Sequence, residues 1–162
     1  MKTLLLRPLT LPDKQAIEQW PAYPDELSEM NYALRKNGWL DEFHDHPGNS
    51  VYAVMLDETL VAFTLLAGTG MQEAEFRIAV YPHYLGKGLG KQATLSTLHK
   101  GFQEHGLRRI HLIVRKTKPK AMSLYEKTGF RQYGECTRMV NGQSVAFYEM
   151  ECLRNTLEQH YG

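Results

Sequence analysis

The chain has 162 residues, 43% hydrophobic and 23% charged, with a formal charge of +1 and only two cysteines, Cys136 and Cys152. That length and apolar content suit one domain, 1–162, that buries a core without staples, and two cysteines exclude a disulfide framework. A charge near zero gives no whole-protein field to recruit nucleic acid or a membrane surface.

Residues 3–7 read as a short strand preceded by no signal-peptide core, because Leu4-Leu5-Leu6 is cut short by Arg7 and Pro8. No apolar run approaches the ~20 residues of a membrane span, and the expected location is the cytoplasm. Thr10, then Pro12 and Asp13, mark a helix start, and Pro21 ends that helix near Trp20. Residues 25–37 read as a helix with Leu27, Met30 and Leu34 on one face and Gly38 as its stop; 39–49 reads as irregular.

Residues 50–56 and 59–67 predict an antiparallel hairpin turning at Asp57-Glu58, and the apolar run Val61–Leu66 predicts a central strand. Residues 73–81 alternate, with Phe76, Ile78 and Val80 on one face and Glu75, Arg77 and Ala79 on the other. A glycine-rich turn leads into a helix running to about His105, with Leu95, Leu98 and Phe102 as its stripe and Gly106 as its stop. Ile110–Val114 reads as a buried strand of parallel type, and Thr117–Lys127 as a short helix stopped at Gly129. Strands 130–140 and 143–151 flank Asn141-Gly142, a type I′ hairpin signal. The polar tail 152–162 has no pattern that decides its order. The sum is α+β with a mixed sheet.

The segment Leu85-Gly86-Lys87-Gly88-Leu89-Gly90-Lys91 joins a strand to a helix. Alternate glycines let a ligand approach the backbone closely, and N–H groups at a helix start favour an anion such as a pyrophosphate. Lys87 and Lys91 add positive charge. No G-x-x-x-x-G-K-[ST] is present, which excludes a P-loop. The turn also follows four strands rather than opening an N-terminal βαβ unit, which excludes the dinucleotide fingerprint. Taken alone, the triplet also fits a flexible turn feeding a helix.

Val80-Tyr81-Pro82 with Leu85-Gly86-Lys87-Gly88-Leu89-Gly90, followed by Ala121-Met122-Ser123-Leu124-Tyr125-Glu126-Lys127-Thr128-Gly129-Phe130, resembles the two signatures of the GNAT acetyltransferase superfamily in their order. Leu6-Arg7-Pro8-Leu9-Thr10 and Ala74-Glu75-Phe76-Arg77-Ile78 look like the subgroup that acetylates protein N-termini and polyamines. The resemblance implies a mostly antiparallel central sheet flanked by helices, and transfer of acetyl from acetyl-coenzyme A to a primary amine. It implies coenzyme contacts at Ile78, Ala79 and Val80, at Leu85, Gly86, Lys87, Gly88, Leu89, Gly90 and Lys91, and at Lys118. Leu85 departs from the usual Gln or Arg, and Lys118 from a frequent asparagine, though a backbone cradle needs neither side chain. The alternative is a non-catalytic coenzyme-binding module on the same fold.

Aminolysis of a thioester needs a neutral amine, a donor to the carbonyl oxygen and a proton for the leaving thiolate. The resemblance puts Tyr125 near the coenzyme sulfur as the acid, and a phenol with its pKa near ~10 stays protonated at neutral pH. Glu75, and after it Glu73, are the candidate bases. His44-Asp45-His46 reads as a polar loop, so no metal is expected. Arg108, Arg109, Arg115, Lys116, Lys118 and Lys120 read equally as coenzyme partners or as a solvated face. Residues 20–46 carry six carboxylates, Asp25, Glu26, Glu29, Asp41, Glu42 and Asp45, with Trp20, Tyr23, Tyr32 and Trp39 among them. They predict a cationic acceptor approaching there. A homodimer is compatible with the sequence; nucleic acid and membrane are not expected partners.

Overall fold

The computed structural model describes residues 3–161. They form two compact units, one running to Ala67 and including Arg77–Thr97, the other made of Gly68–Phe76 and the chain from Leu98 onward.

In the first unit, β1 (Leu4–Pro8) pairs antiparallel with β2 (Asn49–Leu56), which turns at Asp57 (φ 54°) into β3 (Thr59–Gly70), whose end from Gly68 onward belongs to the second unit. Every residue from Val61 to Ala67 is buried, so both faces of β3 are covered, as its apolar run predicts. α1 (Leu11–Glu18) opens on a capping box. The Asp13 N–H donates to Thr10 Oγ1, and the Thr10 N–H donates to Asp13 Oδ2 at 2.8 Å. Arg7 grips the same carboxylate with both guanidinium arms, at 2.5 and 2.9 Å, and holds it near pKa 2.

The predicted helix over 25–37 is instead a 3₁₀ segment, Asp25–Met30, and a single turn, α2 (Asn31–Leu34). Leu27 leaves helical geometry at φ −120°, and the Asn31 side chain accepts from the Tyr23 N–H at 2.7 Å, which ties the incoming chain across the break. The segment expected to be irregular contains α3 (Trp39–Phe43). Gly38 does more than end a helix. A Cβ there would collide with the carbonyl oxygen of Tyr32, and its own carbonyl accepts from the Glu42 N–H to start α3. Trp20, Tyr23, Leu34, Trp39 and Leu40 join Ile17 and Phe63 in the core of this unit. Three of the four aromatic residues foreseen as an acceptor wall are therefore core; only Tyr32 is exposed.

β4 (Glu73–Val80) passes from the second unit into the first, and α4 (Leu89–His99) runs the other way, ending in a π turn, Lys100–Glu104. In the second unit, β5 (Arg109–Arg115) is followed by α5 (Pro119–Lys127), β6 (Arg131–Val140), β7 (Gln143–Leu153) and α6 (Arg154–Tyr161). Asn141 and Gly142 turn the last hairpin at φ 50° and 80°, the left-handed pair a type I′ turn requires. Residues 152–161 of the tail thus close β7 and form α6, and Gly162 lies outside the described residues. β5 is parallel to β4 as expected. It is not buried on both faces: Ile110, Leu112 and Val114 are buried, while Ile113 is 36% exposed, because β7 pairs with it antiparallel and one face stays open.

The strand order is β1-β2-β3-β4-β5-β7-β6. The β4–β5 pair is parallel, and β1–β2, β2–β3, β5–β7 and β6–β7 are antiparallel. This is the α+β, mostly antiparallel sheet anticipated. No helix of the described residues is long and apolar enough to cross a membrane.

Candidate active site

The glycine turn lies wholly in the first unit and is held from below. The Tyr81 N–H donates to Val61 O at 2.7 Å, which fixes the end of β4 against β3. The Tyr23 hydroxyl donates to Val80 O at 2.6 Å. A 3₁₀ turn, Pro82–Tyr84, then feeds Leu85. Leu85 packs against the core of this unit, so the residue that departs from the family pattern is an apolar anchor for the turn. Gly86 and Gly88 have φ of 76° and 80°, and a Cβ at either would meet nothing within 4 Å. The space above both glycines is open to a ligand. Gly90, third of the triplet, has no such φ and belongs to the first turn of α4.

Buried Leu89 pins the start of α4, where the Gln92 N–H donates to Gly88 O. The N–H groups of that first turn have no partner within the helix. Farther along α4, Thr94 donates to Gly90 O at 2.7 Å, Thr97 to Ala93 O at 2.8 Å, and Thr97 meets Thr64 of β3 at 2.7 Å. The buried side of α4 therefore includes Ala93, Thr94 and Thr97 besides Leu98. Lys87 and Lys91 are exposed. Lys87 lines an open hollow of about 560 Å³ with Thr59, Leu60, Tyr81, His83 and Tyr84.

The second unit holds Tyr125, Glu75 and Lys118. Half-buried Tyr125 meets Phe76 of β4 edge-on at 6.3 Å and Phe130 at 5.7 Å. Burial pushes its phenol up to about 12, so it carries its proton at neutral pH. Lys118 takes the N-cap position of α5, its carbonyl accepting from the Met122 N–H at 3.1 Å.

The parallel ladder of β4 and β5 joins Glu73, Ala74 and Glu75 to Arg109, Ile110 and His111. Alternation puts Glu73, Glu75, Arg109 and His111 on one face and buries Ala74 and Ile110 on the other. Arg109 bonds Glu73 at 2.8 Å and Glu151 of β7 at 2.7 Å, and lies 5.0 Å over the Tyr133 ring. Glu73, the second candidate base, is thus tied into a structural ion pair. Glu75 shares its rung with His111, which sequence reasoning missed: a lone histidine in an apolar strand carries no motif. His111 Nε2 lies 2.8 Å from Thr69 Oγ1. Burial first, and the Arg109 charge second, hold its pKa below the ordinary histidine value.

The basic run is largely engaged across the sheet: Lys116 pairs with Glu135 and lies over Tyr148, and Arg115 lies over Phe147. In the first unit, Arg77 stacks on Trp39 and Phe43 at 5.2 and 4.7 Å, so the aromatic faces there are occupied by the chain's own cation. Asp41 is paired with Lys14 and Asp45 lies 3.7 Å from His44 Nδ1; Asp25, Glu26, Glu42 and Asp45 are solvent-exposed. His44 Nε2 meets Leu9 O at 3.0 Å. Cys152 is buried and its thiol is raised to about 12, which makes it a poor nucleophile.

A profile of the acetyltransferase (GNAT) family matches residues 11–130. Spermidine N(1)-acetyltransferase of Escherichia coli (strain K12) is 39% identical over 74 residues, which is 44% of this chain and 40% of that protein. The Vibrio cholerae enzyme of the same name is 34% identical over 74 residues, 44% of this chain and 43% of that one. The match therefore spans less than half the length of these relatives. Among solved structures, a chimera of the spermidine N-acetyltransferase SpeG from Vibrio cholerae and hSSAT superposes with a TM-score of 0.79 at 24% identity, covering 97% of this chain and 99% of that one. The Vibrio cholerae spermidine/spermine N-acetyltransferase SpeG in complex with manganese ions superposes with a TM-score of 0.77 at 23% identity, covering 98% and 97%. At these identities the likeness is one of fold.

Proposed function

Because this chain belongs to the GNAT acetyltransferase family, we propose that it transfers the acetyl group of acetyl-coenzyme A to a primary amine, and that the acceptor is a polyamine. The observation that carries this reading is the turn Leu85–Lys91, where two left-handed glycines leave open space before the free N–H groups of a helix start. A pyrophosphate fits such a place, and a Cβ would fill it. The amides of Leu85, Gly86, Lys87, Gly88, Leu89 and Gly90 would hold it, with Lys87 and Lys91 offsetting its charge, and Lys118 is a separate candidate coenzyme contact in the second unit. The backbone of Ile78, Ala79 and Val80, past the β4–β5 rungs, would hold the coenzyme's pantetheine arm.

Acetyl-coenzyme A supplies an activated thioester carbonyl. The amine nitrogen attacks that carbon, the C–S bond breaks, the amine loses a proton and the thiolate gains one. Tyr125 gives the thiolate its proton, and its raised pKa keeps that proton available at neutral pH. Glu75 supplies negative charge on the side where the amine is deprotonated. The polyamine assignment draws on the names of the relatives and on the exposed carboxylates Asp25, Glu26, Glu42 and Asp45, which attract polycations at long range.

The test is thiol release from acetyl-coenzyme A across an amine panel at low and high salt. Spermidine should exceed a monoamine of similar length by about tenfold in kcat/KM, a margin that shrinks as salt screens exposed charge beyond ~8 Å. Release with no amine would overturn the reading; equal, salt-independent rates would overturn the polyamine assignment alone.

A further inference from the structure

On the open face of the second unit, Glu73 and Glu75 of β4 and Glu151 of β7 flank Arg109 and His111 of β5. Arg109 bonds Glu73 and Glu151 directly. His111 stands on a rung with Glu75 to one side and Glu151 to the other. Thr69, at the end of β3, fixes the imidazole through Nε2. A ring held by a neutral hydroxyl, with a carboxylate on its own rung whose charge favours the imidazolium, is a proton acceptor with a built-in counter-charge.

Resting on the acetyl-transfer reading, we propose that His111 accepts the proton of the acceptor amine and that Glu75, its rung partner, stabilises the imidazolium that forms. The proton passes from the amine nitrogen to the imidazole as the C–N bond forms, and leaves to solvent after the C–S bond has broken, while Tyr125 protonates the thiolate and regains its own proton from solvent. A histidine, the residue type whose ordinary pKa lies nearest neutrality, thus serves as base, in place of a carboxylate whose ordinary pKa lies well below it.

The charged groups bearing on His111 are Glu73 and Glu75 from β4, Arg109 from its own strand and Glu151 from β7. Arg109 lowers its pKa and the carboxylates raise it, and with burial the net shift is downward. The kcat/KM of wild type for spermidine should therefore rise with pH through a group below the ordinary histidine value. Glu75→Gln removes a group that raises that pKa, so the limb should move to lower pH. His111→Gln should lower kcat by about 10²-fold or more, in the range of a lost general base, and erase the limb. His111→Ala should regain activity on addition of imidazole, which a merely structural role would not allow. Thermal stabilisation of each variant by acetyl-coenzyme A checks that the fold is retained.

An active wild type, with His111→Gln within threefold of it and the acid limb in place, overturns the assignment while leaving the acetyl-transfer reading intact. If wild type acetylates no amine, both fall. If the His111 variants lose coenzyme stabilisation as well, imidazole rescue decides: no rescue overturns the role.

Discussion

The turn Leu85–Lys91 borders open space with its backbone, whereas the β4–β5 rungs present side chains, Glu75 and His111, beside the ion pairs of Arg109. In the turn, only the permitted φ at Gly86 and Gly88 and the helix start behind them matter. Leu85 can therefore replace a polar residue and serve the core instead. On the rungs the reverse holds. Backbone groups are engaged in the sheet, and any chemistry depends on which side chains register brings into one row. A backbone site tolerates side-chain change and fails on a Cβ; a side-chain site tolerates backbone-neutral change and fails on the loss of one functional group.

The largest effect should come from breaking the backbone site. Gly88→Val puts a β-branched side chain into the open space and into a conformation costing about 1–2 kcal/mol. Acetyl-coenzyme A affinity should fall by about 100-fold or more, the loss of about two charge-assisted hydrogen bonds. Calorimetric titration reads the affinity and thermal unfolding the stability. Unchanged affinity would remove the turn from the site.

Tyr125→Phe is the complementary test on the side-chain half. It should lower kcat by about 10²-fold and leave coenzyme affinity within twofold, since the ring still packs on Phe76 and Phe130. Stopped-turnover assays with parallel titration separate the two, and an unaltered kcat would show that the phenol gives no proton.

The smallest effect sharpens the contrast by using a charge that only supports the fold. Asp13, held near pKa 2 by Arg7 and the Thr10 cap against an ordinary 3.8, contributes stability that is present above its unfolded value and lost as pH falls through its folded one. Wild type should exceed Asp13→Asn by about 2 kcal/mol in unfolding free energy at pH 7, a gap that closes between roughly pH 4 and pH 2. Urea unfolding across that range measures it, and catalytic constants at pH 7 should not move.

Local chemistry determined much of this protein from its sequence. Thr10 with Asp13 caps α1, Asp57 turns the first hairpin, Asn141-Gly142 turns the last, and Gly86 and Gly88 take the left-handed backbone of the turn before α4. Each depends on the dihedral range or short-range hydrogen bonding of the residues themselves, so each is legible where it stands. The tertiary structure alone decided the rest. It broke the expected helix at Leu27, took Trp20, Tyr23 and Trp39 into the core, gave Glu73 to Arg109 and set Glu75 beside His111. Those outcomes depend on which distant segments pair and in what register. Because side chains alternate along a strand, a shift of one residue would turn Glu75 and His111 to opposite faces.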